Sequence, residues 1–283
     1  MVKGIILDVD GVIVGDMPGI NFPYPNGDVI TALYQLHEKG MPIILCTAKF
    51  GYAIIDIVEK ANLNNPHVTD GGALVINPLK GQIIREHVLE KENLLELISK
   101  CLSNNIYIEV YVPDAYFMDK SQVSDFTKKR IEILQKEPTI VESLSAIVSQ
   151  KDIIKALCFA LFDHEVEVLS DIARSLGNRI NFMWSTHPFL PGVKSGVITA
   201  PNVSKENAIK ETIESLSISF DDMLGIGDTA SDWNFMKHCR YVATLENADE
   251  KIKELVRTKG EGNYIVAPHV DQNGIFEILK YFL

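Results

Sequence analysis

The first apolar run of the chain ends in acid. Gly4-Ile5-Ile6-Leu7 gives way to Asp8-Val9-Asp10-Gly11. So short a run, rich in Ile and Leu, predicts a buried strand. After Asn26-Gly27-Asp28, the spacing of Val29, Leu33 and Leu36 predicts one face of a helix, and Gly40 ends it with a residue free to take positive φ. Residues 41–46 form a second apolar run, closed by Thr47. Residues 52–61 predict another helix, with Ile54, Ile57 and Val58 inward. Short strands follow near Val68 and at 73–76, with a Gly71-Gly72 turn between them. Strand and helix in alternation predict a parallel α/β sheet with right-handed crossovers.

The pattern changes at Asn77-Pro78-Leu79-Lys80-Gly81. Beyond it come a strand at 83–86, a helix at 92–102, a strand at 106–112, helical sequence over 121–135 and a strand near 153–159. A helix at 165–176 stopped by Gly177 and a strand at 179–184 complete the stretch. This order predicts a self-contained α+β insert. Pro188-Phe189-Leu190-Pro191-Gly192 marks the return, and 196–199 is expected to resume the first section. From Lys205 onward the strand–helix alternation comes back. The expected division is a core of 1–80 and 195–283 around an insert of 81–194.

Composition narrows the function. The 283 residues are 46% hydrophobic and 23% charged, enough apolar material for a substantial core. The net charge of −11 argues against non-specific binding to nucleic acid or to an anionic membrane, both of which need a basic surface. No apolar run approaches the ~18 residues of a membrane span. No signal-peptide pattern opens the chain. Cys46, Cys101, Cys158 and Cys239 are far apart in apolar surroundings, as expected of reduced core thiols in a cytoplasmic protein. Lys128-Lys129-Arg130 is read as a solvated helix face.

Four constellations carry candidate chemistry, each where a strand gives way to a loop or helix. Asp8 and Asp10 repel one another and need a cation or a proton. Thr47 offers a hydroxyl, with backbone N–H groups beside it, to an anion. Lys205 stands in the first turn of a helix whose inner face is Ala208, Ile209, Thr212, Ile213 and Leu216; there it works against the helix dipole unless an anion is near. In Gly225-Ile226-Gly227-Asp228-Thr229-Ala230-Ser231-Asp232, a strand delivers Asp228 and Asp232 follows one helical turn later. Oxygen donors of this kind suit a hard divalent cation such as Mg²⁺.

Taken together and in this order, these motifs resemble the haloacid dehalogenase superfamily of aspartate-dependent phosphatases. The insert, the Gly227-Asp228…Asp232 segment and Asn247-Ala248 are similar to its Cof-like sugar-phosphatase branch, which carries a large cap. The resemblance implies a Rossmann-like parallel-sheet core with an inserted α+β cap. It implies an Mg²⁺-dependent hydrolase of small phosphate monoesters, with a sugar phosphate expected. Asp8 would be the nucleophile and Asp10 the general acid and base. Thr47, Ala48 and Lys205 would hold the phosphoryl group. Asp8, the Asp10 carbonyl and Asp228 would ligate Mg²⁺, with Asp232 in or just behind the ligand sphere. The chain departs from the family where Ala48-Lys49 replaces Gly-Arg and Ser231 replaces Asn.

Arg179, Trp184, His187 and Lys194, near the return from the insert, are the expected substrate contacts. Three rivals remain: a phosphomutase or phosphotransferase on the same scaffold, a glycosyltransferase using Asp8-Val9-Asp10, and a non-catalytic protein with an acidic metal pocket. The glycosyltransferase accounts for neither Lys205 nor the Asp228/Asp232 turn.

Overall fold

The computed structural model describes residues 1–186 and 189–283. The chain divides into two compact units: Met1–Arg85 with Ser204–Leu283, and Glu86–Val203. The first stretch contains β1 (Gly4–Leu7), α1 (Gly27–Glu38), β2 (Ile43–Leu45), α2 (Ile55–Lys60), β3 (His67–Thr69), β4 (Leu74–Asn77) and β5 (Gln82–Glu86). The second unit contains α3 (Lys91–Ser103), β6 (Tyr107–Val112), β7 (Ala115–Asp119), α4 (Asp125–Leu134), β8 (Thr139–Val141), α5 (Leu144–Gln150), β9 (Lys155–Ala160), α6 (Asp163–Leu176), β10 (Asn181–Thr186) and β11 (Lys194–Thr199). The chain then returns through α7 (Lys205–Leu216), β12 (Met223–Ile226), α8 (Trp233–Met236), β13 (Tyr241–Leu245), α9 (Glu250–Arg257), β14 (Tyr264–Ala267) and α10 (Ile275–Phe282).

The first unit is built on a parallel five-stranded sheet, ordered β14-β13-β12-β1-β2. Its central strands are apolar on both faces. Ile6, Ile44, Met223 and Val242 pack against buried residues of α7, α8 and α9, while Ile5, Leu7, Ile43 and Leu45 are equally buried on the other side. Burying each such side chain is worth about 1.5–3 kcal/mol, which is why these strands read as unbroken apolar runs. Asn26 caps α1 by accepting the Asp28 amide at 2.9 Å.

The sheet order positions the acidic strand end. β1 lies between β12 and β2, with Leu7 in register with both Ile226 and Leu45. The chain leaves β1 toward one neighbour and arrives from the other, the kind of switch point where open α/β sheets bind ligands. Asp8, Asp228 and Thr47 therefore emerge on adjacent strand ends.

β3, β4 and β5 depart from the expected parallel pattern. They form a separate three-stranded sheet, with β3 and β4 antiparallel. Only Asp70-Gly71-Gly72-Ala73 joins β3 to β4, far short of the dozen or more residues that a parallel crossover needs. Positive φ at Asp70, Gly71 and Gly72 makes the reversal possible. β5, expected to open the insert, belongs to this sheet.

The second unit has a six-stranded sheet, ordered β10-β11-β9-β6-β7-β8. β11 is the central correction. It pairs antiparallel with both β10 and β9, so 194–199 completes the second unit and the first resumes at Ser204. Strand pairing is non-local, and the sequence around Gly196 carries no mark of its partner. The elements β7, β8 and α5 were not anticipated. Arg130 corrects the solvated-face reading. Lys128 and Lys129 are exposed, but Arg130 is 4% exposed and pairs with the fully buried Glu109 at 3.0 Å. The four cysteines are buried free thiols, in keeping with the expected core placement.

Candidate active site

Each expected catalytic side chain sits at an element boundary of the first unit. The Asp8 amide continues the β1 ladder, donating to the Ile226 carbonyl at 3.0 Å, and its side chain is 9% exposed. Asp228 follows β12, and Asp232 begins α8 with no exposure at all. One carboxylate oxygen from each of Asp8, Asp228 and Asp232 lies within 4.8 Å of the others. Gly11 allows this crowding: at φ +74°, a Cβ there would stand 2.0 Å from Asp228 Oδ2.

Lys205 supplies the opposing charge. Its Nζ lies 2.7 Å from Asp232 Oδ1 and 3.2 Å from Asp8 Oδ1. Only the first contact is aligned as a hydrogen bond, and the buried Asp8 Oδ1 accepts none among the described residues. Burial works against the lysine ammonium, but the charges of Asp8 and Asp232 outweigh it and raise the pKa. Burial pushes the Asp8 carboxyl up to about 7, against the pull of Lys205 and with the help of Asp232 and Asp10. Asp228 rises to about 8, through burial and then through Asp8 and Asp232. One lysine does not neutralise three aspartates in so small a volume, and a cation or bound protons must.

The donors fit a hard divalent ion. They are all oxygen, and Asp8 has an oxygen with no hydrogen bond to lose. Asp232 is committed elsewhere. Its Oδ2 accepts from the Asp228 amide (3.3 Å), the Thr229 amide (3.0 Å) and the Thr229 hydroxyl (2.8 Å). Both of its oxygens are thus spent on Lys205 and on the Gly227–Thr229 turn. Asp8 and Asp228 are left as the carboxylates able to hold a metal.

Asp10 lies apart from this cluster. Its carboxylate, 56% exposed, meets the Lys49 ammonium at 2.9 Å. Thr47 is buried at the end of β2, and its Oγ1 accepts the Lys49 amide at 3.1 Å, leaving the hydroxyl proton outside that bond. Ala48, between them, is exposed.

The turn after β3 braces this loop and was read only as a turn. Asp70, 2% exposed, accepts the Gly51 amide at 3.1 Å. Its own amide donates to the Lys49 carbonyl at 2.8 Å, and the Gly71 amide donates to Thr47 at 3.1 Å. Gly72 lies against the start of α7, where a Cβ would stand 2.3 Å from the Ser204 carbonyl oxygen. One turn therefore supports both Thr47 and Lys205. An aspartate placed directly before paired glycines was the available signal, since all three residue positions favour the positive φ of a tight turn.

The expected substrate residues lie in the second unit. Arg179 is bound there: its guanidinium pairs with Glu96 at 2.8 Å and donates to Asn93 and Leu176. Trp184 is 40% exposed on β10, edge-on to Phe182. Lys194 is exposed at the start of β11. His187 lies outside the described residues.

The haloacid dehalogenase-like hydrolase family model matches residues 5–279, and the chain belongs to that family. It is 20% identical to phosphatase YwpJ of Bacillus subtilis, with 99% of this chain and all of that protein aligned. A crystal structure of a haloacid dehalogenase-like hydrolase from Bacteroides thetaiotaomicron shares the fold at a TM-score of 0.85, with 17% identity over the full length of both chains. A subclass IIB sugar phosphatase of the superfamily shares it at 0.76, with 19% identity over 99% of this chain and 98% of that one. No described helix is long and apolar enough to cross a membrane.

Proposed function

We propose that this protein is an Mg²⁺-dependent phosphomonoester hydrolase that works through an aspartyl-phosphate on Asp8, with a small phosphorylated metabolite, a sugar phosphate in particular, as substrate. The observation that carries the reading is the buried ammonium of Lys205 between Asp8 and Asp232, beside Asp228. The names of the related phosphatases support the reaction class, and the subclass IIB structure supports the sugar ester.

The ionised form of Asp8, which the Lys205 charge favours against burial, attacks phosphorus in line. A carboxyl–phosphorus bond forms as the ester P–O bond breaks. Asp10 gives its proton to the leaving alkoxide oxygen, then takes one from the water that attacks the phosphorus, and Asp8 leaves as a carboxylate. The Thr47 hydroxyl and the backbone at Ala48 orient the phosphoryl oxygens. Lys205 stabilises the charge they carry in the transition state. Asp8, Asp228 and the Asp10 carbonyl would hold Mg²⁺, which supplies further neutralisation of that charge when bound. Asp232 keeps the lysine aimed. By the same reading the unit of 86–203 selects the leaving group.

The test is phosphate release from a panel of sugar phosphates, nucleotides and small phosphorylated metabolites, with Mg²⁺ and with a chelator. Turnover that needs Mg²⁺ and vanishes in Asp8→Asn supports the reading. Normal activity in Asp8→Asn contradicts it. Product analysis with a sugar monophosphate separates hydrolysis from transfer.

A further inference from the structure

Asn247 joins two loops of the first unit that would otherwise be independent. Its Nδ2 donates to the Gly11 carbonyl at 2.8 Å, and its Oδ1 accepts the Val270 amide at 2.9 Å. The reverse amide orientation would set oxygen against oxygen and N–H against N–H, so the hydrogen-bond partners fix it. Two residues on, the Asp249 amide donates to the Asp228 carbonyl at 3.0 Å. One short turn after β13 thus grips both the loop carrying Asp8 and Asp10 and the loop carrying Asp228. Those loops already touch, because Gly11 has no side chain to keep Asp228 away. The spacing of the Asp8 and Asp228 carboxylates therefore depends on where Gly11 is held, and the side-chain hydrogen bond holding its carbonyl is the one from Asn247.

We propose that Asn247 is a positioning residue for the carboxylate site. By tying the Gly11 carbonyl to the loop after β14, it fixes the gap between Asp8 and Asp228 at the width a hard divalent cation needs. The inference rests on the proposed function, since it takes that cluster to bind Mg²⁺. Groups that orient a metal's ligands from behind are typically worth 10–100-fold in affinity or activity.

The experiment titrates Mg²⁺ alone into the full-length protein by calorimetry, for wild type, Asn247→Ala and Asn247→Ser. It also records melting temperature, kcat and KM. The serine variant keeps a polar group near Val270 but cannot span the distance to Gly11. Both variants are expected to bind Mg²⁺ about 10–100-fold more weakly and to lose kcat by a similar factor. KM at saturating Mg²⁺ should stay within about twofold, because the phosphate contacts are untouched. A folded variant with wild-type Mg²⁺ affinity overturns the proposal. A lowered melting temperature with unchanged affinity, or failure of both variants to fold, makes Asn247 a structural brace and overturns it equally. A wild-type protein that binds no Mg²⁺ overturns the proposed function instead.

Discussion

Lys205 Nζ stands 2.7 Å from Asp232 and 3.2 Å from Asp8, so one buried ammonium serves both a structural carboxylate and the proposed nucleophile. Replacing it with methionine keeps most of the volume and removes the charge. Lys205→Met is expected to lower kcat by about 10²–10³, the cost of losing one preorganised group at the developing charge. Steady-state kinetics on the best substrate, with circular dichroism as a fold control, checks this. A folded Lys205→Met with unchanged kcat would remove the lysine from the mechanism.

Gly72 tests the coupling between the Thr47 loop and Lys205. Alanine there meets two penalties: φ of +103°, and a Cβ 2.3 Å from the Ser204 carbonyl. The backbone strain alone is of order 1–3 kcal/mol. The start of α7 must then shift, and Lys205 with it. Gly72→Ala should lower the melting temperature and also lower kcat. Gly81→Ala, at another positive-φ glycine with open space around its Cβ, should lower stability alone.

His67 predicts how stability depends on pH. It is fully buried, its Nδ1 accepts the Leu45 amide at 3.1 Å, and its Nε2 lies 3.1 Å from the Leu63 carbonyl. Burial lowers its pKa to about 4, from an ordinary 6.5. Above pH 6.5 the ring is neutral in both folded and unfolded chains, and its contribution is intact. As pH falls from 6.5 toward 4, only the unfolded chain takes up the proton. The stability that His67 contributes should drop by about 3 kcal/mol across that window. Urea unfolding of wild type and His67→Gln at several pH values isolates this contribution: the stability difference between the two should narrow by that amount as pH falls from 6.5 to 4, while the raised carboxyls of Asp8 and Asp228 act equally on both.

Arg130 and Arg179 separate buried from exposed ion pairs in the second unit. Arg130→Ala strands the Glu109 carboxylate in the interior and should destabilise that unit by about 3–5 kcal/mol. Arg179 pairs with Glu96 at the surface, with 47% of its side chain exposed, and Arg179→Ala should cost no more than about 1 kcal/mol. Thermal unfolding checks both. If Arg179 instead contacts substrate, Arg179→Ala will raise KM at unchanged stability.

The chain discloses its polar strand ends because buried parallel strands read as unbroken apolar runs, and β1, β2 and β12 are each followed within two residues by a polar residue that has no packing reason to be there. The inner face of α7 was equally clear, since Ala208, Ile209, Thr212 and Ile213 recur at helical spacing and all four are buried. What stayed hidden was non-local. The membership of β11 depends on partners far back in the chain. Arg130 sits in a basic run that periodicity assigns to solvent, and its partner Glu109 lies 21 residues earlier. The sequence leaves Asp232 in or just behind a metal's ligand sphere, and only the structure shows its oxygens engaged with Lys205 and Thr229. Residue type and spacing locate a carboxylate, but its hydrogen bonds decide what it is free to do.

The nucleophile can be caught directly. Wild-type protein mixed with a turned-over phosphate ester and Mg²⁺, quenched in acid within one turnover and digested, should yield a peptide phosphorylated at Asp8 by tandem mass spectrometry, and Asp8→Asn should yield none. Rapid phosphate release with no acyl-phosphate peptide, or a phosphoryl group on any other residue, would contradict the account.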